Sequence, residues 1–355
     1  MRYTTFGRRT GLRVSEYALG TGNFGTGWGF GAERTEAQRI FDRFAEAGGT
    51  FIDTADGYQA GQSEAMLGEF LAADRDHFVL ATKYSNGPYR RAGDPDISRL
   101  GDSRKAMVTS VEASLRRLRT DYIDLYWAHL PDGITPIEEV ARAFEDLVRA
   151  GKILHWGLSN FAAWQVSRAA TSADLRGWAP TAGIQLEYSL VERTADRELL
   201  PMAESLGLGA ALWSPLGGGL LTGKYRTSDT GRLSDWGGRL VHTESTAQKS
   251  AVVDAVLEVA VETGASPARV AVAWVREHAA RAATTYVTII GPRDLRQLDD
   301  YLGALDVTLT DAQYTRLSEV SAVSRGMPHD LVAAQRDTVL GGDASRVIRP
   351  AVPVS

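Results

Sequence analysis

Cysteine is absent from all 355 residues of the chain. Its absence excludes disulfide bonds and thiolate metal sites and is typical of a cytoplasmic enzyme. No apolar run approaches membrane-spanning length, and the basic N-terminal stretch lacks the apolar core of a signal peptide. Dense Lys/Arg blocks are also missing and the formal net charge is −5, so nothing favours nucleic-acid binding. We therefore expect a cytoplasmic protein that acts on a small molecule and contacts neither nucleic acid nor membrane.

A repeating order of strand-like and helix-like segments is present instead. With 44% hydrophobic residues the chain can bury a large core, and from about Tyr17 to Gly303 short apolar runs alternate with segments of helical period. The apolar runs are YALGTG, TFIDTAD, HFVLATKY, YIDLYWAHL, KILHWGLSN, GIQLEYSL, LGAALWSPL and TYVTIIGPR. Eight β-then-α units fit a closed (β/α)8 TIM barrel better than an open doubly wound sheet. The glycines of GTGNFGTGWGFG lack the GxGxxG spacing that opens a helix, so they indicate a flexible loop and not a Rossmann fingerprint.

Three segments lie outside the repeat of what we expect to be one domain. Residues 1–16 predict a hairpin at the bottom of the barrel, residues 17–306 the barrel itself, and residues 307–355 an extra helix followed by a tail. The tail beyond about Arg325 either packs over the barrel or stays mobile. After the seventh strand, the polar, Gly-rich segment Tyr225–Thr246 exceeds ordinary βα loops in length and is a candidate lid.

Four chemically compatible side chains occur where predicted strands end. Asp53 and Tyr58 follow the second strand, Lys83 ends the third and His129 ends the fourth. A phenol titrates at about 10, and a neighbouring ammonium group should lower the pKa of Tyr58 while Asp53 holds Lys83 in place. His129 would orient a substrate oxygen. Each group alone is more often structural, but four at one barrel mouth predict a proton donor for a carbonyl that receives a hydride.

An ordered set of motifs resembles the aldo-keto reductase family. The motifs are FIDTADGY with GQSE, LATK, DYIDLYWAH, GLSNF, QLEYSL, WSPLGGGLLTGKY and TIIGPRDLRQL, and they extend the resemblance from about Met1 to Asp306. The resemblance is strongest to the bacterial aryl-alcohol-dehydrogenase-like and potassium-channel β-subunit-like branch. It implies a (β/α)8 barrel, a nicotinamide cofactor bound without a Rossmann motif, and metal-free carbonyl reduction. It also implies that Tyr58 is the proton donor, supported by Asp53, Lys83 and His129.

The same resemblance assigns contacts to the cofactor by position. They are Gly20, Thr21 and Asp53 on the nicotinamide side; Ser159, Asn160 and Gln185 at the carboxamide; Trp213 on the nicotinamide ring; Ser214, Pro215, Leu216, Gly218 and Lys224 along the pyrophosphate; and Gly291, Arg293, Gln297 and Asp300 at the adenosine end. Strand or helix capping remains an alternative for Ser159, and core packing for Trp213. Arg293 begins a predicted helix, where a phosphate is favoured, so we predict NADPH in preference to NADH.

Substrate contacts and three departures from the family pattern complete the site prediction. The expected pocket walls are Trp28, Phe30, Tyr84 and Leu130. Gln59 replaces the Gly that usually follows the catalytic Tyr, Tyr301 replaces an Asn expected at the adenine, and Trp213 replaces Tyr or Phe. Ordinary loop packing is an alternative for Trp28 and Phe30.

The leading hypothesis is NADPH-dependent, reversible reduction of an aldehyde or ketone. Two alternatives keep the same barrel and cofactor: a regulatory subunit with little turnover, and an alcohol or sugar dehydrogenase that runs in the oxidative direction. A barrel lyase or hydrolase would need a metal or paired carboxylates at the mouth, where Asp132 near His129 is the one candidate. The sequence leaves open the substrate (an aryl aldehyde, ketone, quinone or sugar) and the oligomeric state.

Overall fold

Eight parallel strands close into a barrel in the computed structural model of the chain, which describes residues 1–87, 90–91, 94–228, 241–348 and 350–352. In chain order the barrel strands are Tyr17–Gly20, Phe51–Asp53, Val79–Tyr84, Ile123–Ala128, Ile153–Ser159, Thr181–Glu187, Gly209–Trp213 and Tyr286–Ile290. Each strand pairs with the next along the chain, and the last pairs with the first. The (β/α)8 barrel predicted from the sequence is confirmed.

Helices surround the barrel and shield its outer face from water. They are Arg34–Glu46, Gln62–Phe70, Arg104–Leu118, Ile137–Arg149, Ala163–Arg176, Leu199–Leu206, Ala247–Thr263, Pro267–Ala280, Leu295–Gly303, Asp311–Val320 and His329–Val339. The first helix buries Ile40, Phe41 and Phe44. Their spacing of three and four residues places them on one face of the helix. Across the described ranges, no helix has both the length and the apolar character needed to cross a bilayer.

The N-terminal hairpin closes the bottom of the barrel. Strands Tyr3–Thr5 and Arg13–Ser15 pair antiparallel, and the fully buried Phe6 follows the first of them. The ring of Phe6 lies 5.8 Å from Phe51 and 6.1 Å from Trp127 between ring centroids. Burying such a ring contributes about 1.5–3 kcal/mol. Apolar side chains thus fill the lower interior of the barrel, and the hairpin lies where the sequence predicts it.

The C-terminal segment is attached to the barrel mainly through the first of its two helices. The predicted extra helix is present as Asp311–Val320, and Leu317 is buried. In the helix His329–Val339 no residue is buried. Arg197 donates to the carbonyl of Ser324 at 2.8 Å, and His329 Nε2 lies 2.9 Å from Glu198 Oε1.

Only the ends of the expected lid Tyr225–Thr246 fall within the described residues, because residues 229–240 lie outside them. At the N-terminal end Arg226 pairs with Glu244 and with Asp254, each at 2.7 Å. At the C-terminal end His242 lies 3.0 Å from Glu187, the last residue of the sixth strand. These bonds fix both ends of the segment at the carboxyl end of the barrel.

Candidate active site

A buried ion pair joins the second and third barrel strands beneath a phenol. Lys83 Nζ lies 2.6 Å from Asp53 Oδ2, 2.7 Å from the carbonyl oxygen of Thr54 and 3.2 Å from Tyr58 Oη. The other Asp53 oxygen accepts a 2.8 Å hydrogen bond from Gln185 across the barrel. The ammonium group of Lys83 therefore has three acceptors in a fixed geometry, one of which is the phenol.

Burial and charge set the protonation states of this cluster. Burial alone would lower the pKa of Lys83, but Asp53 and Tyr58 raise it above the ordinary value, so the ammonium stays charged. Removal of water raises the pKa of Tyr58, although Lys83 pulls it in the opposite direction. The sequence-based expectation of a lowered Tyr58 pKa was therefore right for the effect of Lys83 and wrong for the net direction. The phenol is kept protonated at neutral pH.

His129 lies beside the phenol as a neutral imidazole. Its ring centroid is 6.0 Å from that of Tyr58, with the planes at 79°. Its backbone N–H donates to the carbonyl of Tyr84 and its carbonyl accepts from Asn160, both at 3.0 Å, which ties the ends of three strands together. Burial and then Lys83 lower the pKa of His129 to about 3. A neutral imidazole can donate one hydrogen bond to a substrate oxygen.

A cavity of about 1000 Å³ opens above these groups. Asp53, Tyr58 and His129 line it, and Trp28 stands with its ring centroid 6.0 Å from that of Tyr58. A second, smaller cavity of about 350 Å³ shares lining residues with the first. The shared residues are Asn23, Leu216, Gly291 and Tyr301. The two cavities are thus contiguous and form one elongated path, whose far end carries Lys224, Arg293 and Arg296.

Most of the residues predicted to hold a cofactor line this path. In the first cavity they are Gly20, Asp53, Asn160, Gln185, Trp213, Ser214, Pro215, Leu216 and Gly291. In the second they are Leu216, Gly218, Lys224, Gly291, Arg293, Gln297 and Asp300. Gln297 accepts from the backbone of Arg293 at 2.9 Å, and Asp300 pairs with Arg269 at 2.9 Å.

Thr21 and Ser159 lie behind the cavity surface. Both are fully buried, and neither is among the lining residues. Thr21 Oγ1 donates to the carbonyl of Asp53 at 3.1 Å, and Ser159 Oγ accepts from Asn160 Nδ2 at 3.0 Å. The structure thus places both side chains against residues that line the cavity, Asp53 and Asn160, and their direct contact with the cofactor stays a prediction. Helix capping by Ser159 is excluded, because the next helix has Ala162 as its N-cap; the strand-capping alternative stays open, since Ser159 is the last residue of its strand.

The backbone of the glycine run fits the close approach of a phosphate group. Gly217, Gly218 and Gly219 have φ angles of 57°, 69° and 100°, in the region that favours glycine. A Cβ atom at Gly217 would lie 2.4 Å from Val191, and Ser214 Oγ accepts from the N–H of Gly218 at 3.1 Å. Bare backbone on one side and the cationic side chains of the second cavity on the other suit a dinucleotide's phosphates.

Two of the four expected pocket walls are misplaced. Trp28 and Leu130 line the first cavity. Tyr84 does not, and its assignment as a pocket wall is wrong: it is fully buried, stacks on Tyr126 with centroids 5.4 Å apart and donates to the carbonyl of Asp102. Successive strand side chains point to opposite faces, so Tyr84 points outward because Lys83 points inward. Phe30 lies behind Trp28, at 6.0 Å between ring centroids, and does not line the cavity.

Asp132 serves the loop that contains it. Its carboxylate accepts from the backbone of Asp102, Ile134 and Thr135 and from the Thr135 hydroxyl, at 2.6–2.9 Å. It is absent from the residues that line the cavity. The lyase or hydrolase alternative thus loses the carboxylate on which it rested.

Several lining residues escaped the sequence analysis. They include Asn23, Asn86, Phe161, Arg197 and Arg296. Asn86 and Phe161 each follow a strand end, a signal that would have found them. Arg296 lies in the first turn of the helix Leu295–Gly303, three residues after Arg293, and both line the second cavity.

The chain belongs to the aldo/keto reductase family. The family's model matches residues 17–322, which covers the barrel and the extra helix. The predicted family resemblance is confirmed, and the protein is an NAD(P)H-dependent oxidoreductase.

Named relatives extend the match to nearly full length. An uncharacterized oxidoreductase of Bacillus subtilis, YrpG, is 37% identical over 327 residues, 90% of this chain and 96% of the relative. Norsolorinic acid reductase stcV of Emericella nidulans is 37% identical over 90% of this chain and 81% of its own length. An NADP(+) aryl-alcohol dehydrogenase of Phanerodontia chrysosporium is 36% identical over 90% of this chain and 86% of its own length.

Proposed function

We propose that the protein reduces an aldehyde or ketone to the alcohol with NADPH and that Tyr58 gives the proton. The observation that carries the proposal is the position of the Lys83 ammonium, which lies 2.6 Å from Asp53 and 3.2 Å from the Tyr58 hydroxyl at the floor of the cavity. When bound, the nicotinamide cofactor supplies a hydride to the carbonyl carbon. The carbonyl oxygen, which gains negative charge, then needs a proton, and the protonated Tyr58 hydroxyl lies at the cavity wall to give it.

Each member of the cluster has a role that its surroundings support. Tyr58 Oη transfers its proton to the substrate oxygen, and the Lys83 ammonium stabilises the phenolate that remains. Asp53 keeps Lys83 charged and oriented, while Gln185 holds the other Asp53 oxygen. His129, being neutral, donates a hydrogen bond that orients the substrate oxygen. A phenol protonated at neutral pH suits the reductive direction.

The cations of the second cavity support NADPH over NADH. Lys224, Arg293 and Arg296 all line it, beside the start of the helix Leu295–Gly303, whose first turn favours an anion. Asp294 caps this helix by accepting from Gln297 at 2.8 Å. The Phanerodontia chrysosporium relative is named for NADP(+), which agrees with a site that takes the extra phosphate.

Cofactor fluorescence titrations test this assignment. Arg293→Ala should weaken NADPH binding by roughly tenfold to a hundredfold, because a charge-assisted contact to phosphate is lost, and should leave NADH binding within about twofold. Arg43→Ala is the matched control. Arg43, on the helix Arg34–Glu46, pairs with Asp299 of the helix Leu295–Gly303 and lines neither cavity. An unchanged NADPH/NADH preference in Arg293→Ala would refute the assignment of Arg293. Absence of binding of both cofactors to the wild type would refute the function.

A further inference from the structure

Gln59, the residue directly after Tyr58, is buried in an unfavourable backbone conformation. Its side chain is fully buried, and φ is 51° at Gln59 and 57° at Ala60. Two consecutive non-glycine residues in the left-handed region are uncommon, and such strain persists only where surrounding contacts enforce it. A glycine at position 59 would adopt this backbone freely. The glutamine side chain must therefore compensate for the conformation.

Both ends of the Gln59 amide bind the loop that carries Trp28. Gln59 Nε2 donates to the carbonyl of Gly22, and Gln59 Oε1 accepts from the backbone N–H of Trp28, each at 3.0 Å. These two bonds hold Gly22 and Trp28 in the segment of residues 22–31, which we call the Trp28 loop. Gln62 Oε1 also accepts hydrogen bonds from the loop, from the backbone N–H groups of Thr26 and Gly27 at 2.8 and 3.1 Å.

The loop packs so closely on Gln59 that three of its glycines, Gly25, Gly27 and Gly31, leave no space for side chains. A Cβ atom at Gly27 would lie 2.4 Å from the carbonyl oxygen of Gln59, one at Gly25 2.9 Å from its Cβ, and one at Gly31 3.1 Å from its Nε2. Trp28 in turn lines the cavity with its ring edge-on to Tyr58, at 6.0 Å between centroids and 82° between planes. A continuous chain of contacts thus runs from the turn behind the proton donor to the wall of the cavity.

We propose that Gln59 is a positioning residue that holds Trp28 over Tyr58 and so sets the affinity for carbonyl substrates with an aromatic body. This inference rests on the proposed function and concerns the substrate class of the same site. An indole fixed edge-on above the proton donor offers an apolar wall to a flat ring. A small aliphatic carbonyl would reach Tyr58 without using that wall.

Hydrogen exchange tests the anchor without any substrate. Peptides that cover residues 22–31 should exchange at least about tenfold faster in Gln59→Gly and in Gln59→Leu than in the wild type, because each variant deletes both hydrogen bonds of the Gln59 side chain. Gln248→Leu is the matched control, because it deletes a 2.7 Å hydrogen bond from the Gln248 side chain to the carbonyl of Ala322 on the outside of the barrel. Unchanged exchange of residues 22–31 in Gln59→Gly would overturn the anchor. Gln59→Gly relieves the backbone strain, so it stays informative if Gln59→Leu fails to fold.

Steady-state kinetics with two aldehydes test the specificity. In Gln59→Gly the KM for 4-nitrobenzaldehyde should rise about tenfold, the equivalent of about 1.4 kcal/mol, with kcat within about threefold and the KM for propanal unchanged. The NADPH dissociation constant should stay within about twofold of the wild-type value.

A double-mutant cycle with Trp28→Ala assigns the effect to Trp28. If Gln59 acts through Trp28, adding Gln59→Gly to Trp28→Ala should change the KM for 4-nitrobenzaldehyde by less than about twofold. Additive effects, or a parallel rise in the NADPH dissociation constant, would overturn the positioning role.

A wild type that binds NADPH but reduces neither aldehyde would refute the substrate class and with it the specificity role. A wild type that binds no NADPH would refute the proposed function, while hydrogen exchange still decides the anchor.

Discussion

At the scale of single residues, Asp56 differs from the other carboxyl groups near the site. It lies two residues before Tyr58, is fully buried and takes no part in the proposed proton transfer. Burial, assisted by the nearby Glu64, raises its pKa to about 8, although Arg117 opposes the shift. The group is therefore protonated over most of the neutral range.

This raised pKa predicts how stability depends on pH. The unfolded chain releases the Asp56 proton near the ordinary value of 3.8, whereas the folded chain keeps it up to about pH 8. Unfolding therefore releases a proton between these values, and the contribution of Asp56 to the unfolding free energy falls as pH rises through that window and levels off above it. Asp56→Asn removes this dependence.

Urea unfolding at pH 5, 6, 7 and 8 measures the effect. The loss of unfolding free energy between pH 5 and pH 8 should be smaller in Asp56→Asn than in the wild type by at least about 1.4 kcal/mol, the equivalent of one pKa unit. Asp121→Asn, at an exposed position, is the control and should follow the wild type. Parallel curves for Asp56→Asn and the wild type would show that Asp56 is not protonated in the folded chain.

The geometry of the strands decides which site residues can be predicted from the sequence. Asp53, Lys83 and His129 were found because a polar residue at the end of an apolar strand is visible in the sequence, and the structure brings all three beside Tyr58. Tyr84 was misplaced because the prediction overlooked the alternation of side chains along a strand, which puts Tyr84 on the face opposite to Lys83. Gln59 acts through a loop that is distant in sequence, and a single chain contains no signal for that pairing.

At the scale of elements, the final helix is attached far more weakly than the helix before it. His329–Val339 buries no residue, whereas Asp311–Val320 buries Leu317 and contributes Ser318, whose Oγ accepts from Trp274 at 2.9 Å. The contact of His329 with Glu198 lies near the surface, where even a fully charged pair contributes little to stability.

Two truncations test this difference. Deleting residues 329–355 should lower Tm by less than about 4 °C, since almost no apolar surface becomes exposed. Deleting residues 311–355 should lower it by at least about twice that amount, because Leu317 and the Trp274 contact are lost. Differential scanning calorimetry on the full chain and on both truncated chains gives the comparison. A large loss of Tm in the shorter deletion would mean that the tail stabilises the barrel.

At the scale of the whole molecule, the barrel separates an apolar end from a polar end. Phe6 and the side chains around it fill the lower interior, and the contiguous cavities from Tyr58 to Arg293 occupy the carboxyl end. The barrel could be predicted because eight βα units leave few ways to bury every strand on both faces. The positions of the long loops could not, since their contacts depend on side chains such as Gln59 and Arg226, whose partners lie far along the chain.

The central claim is that Tyr58 delivers the proton, and the most direct measurement is the turnover of Tyr58→Phe. We expect NADPH binding within about threefold of the wild-type value and a loss of kcat of roughly a hundredfold to ten-thousandfold. Tyr84→Phe, which removes a buried phenol hydroxyl outside the cavity, is the matched control and should stay active. Full activity in Tyr58→Phe, or an equal loss in Tyr84→Phe, would contradict the claim.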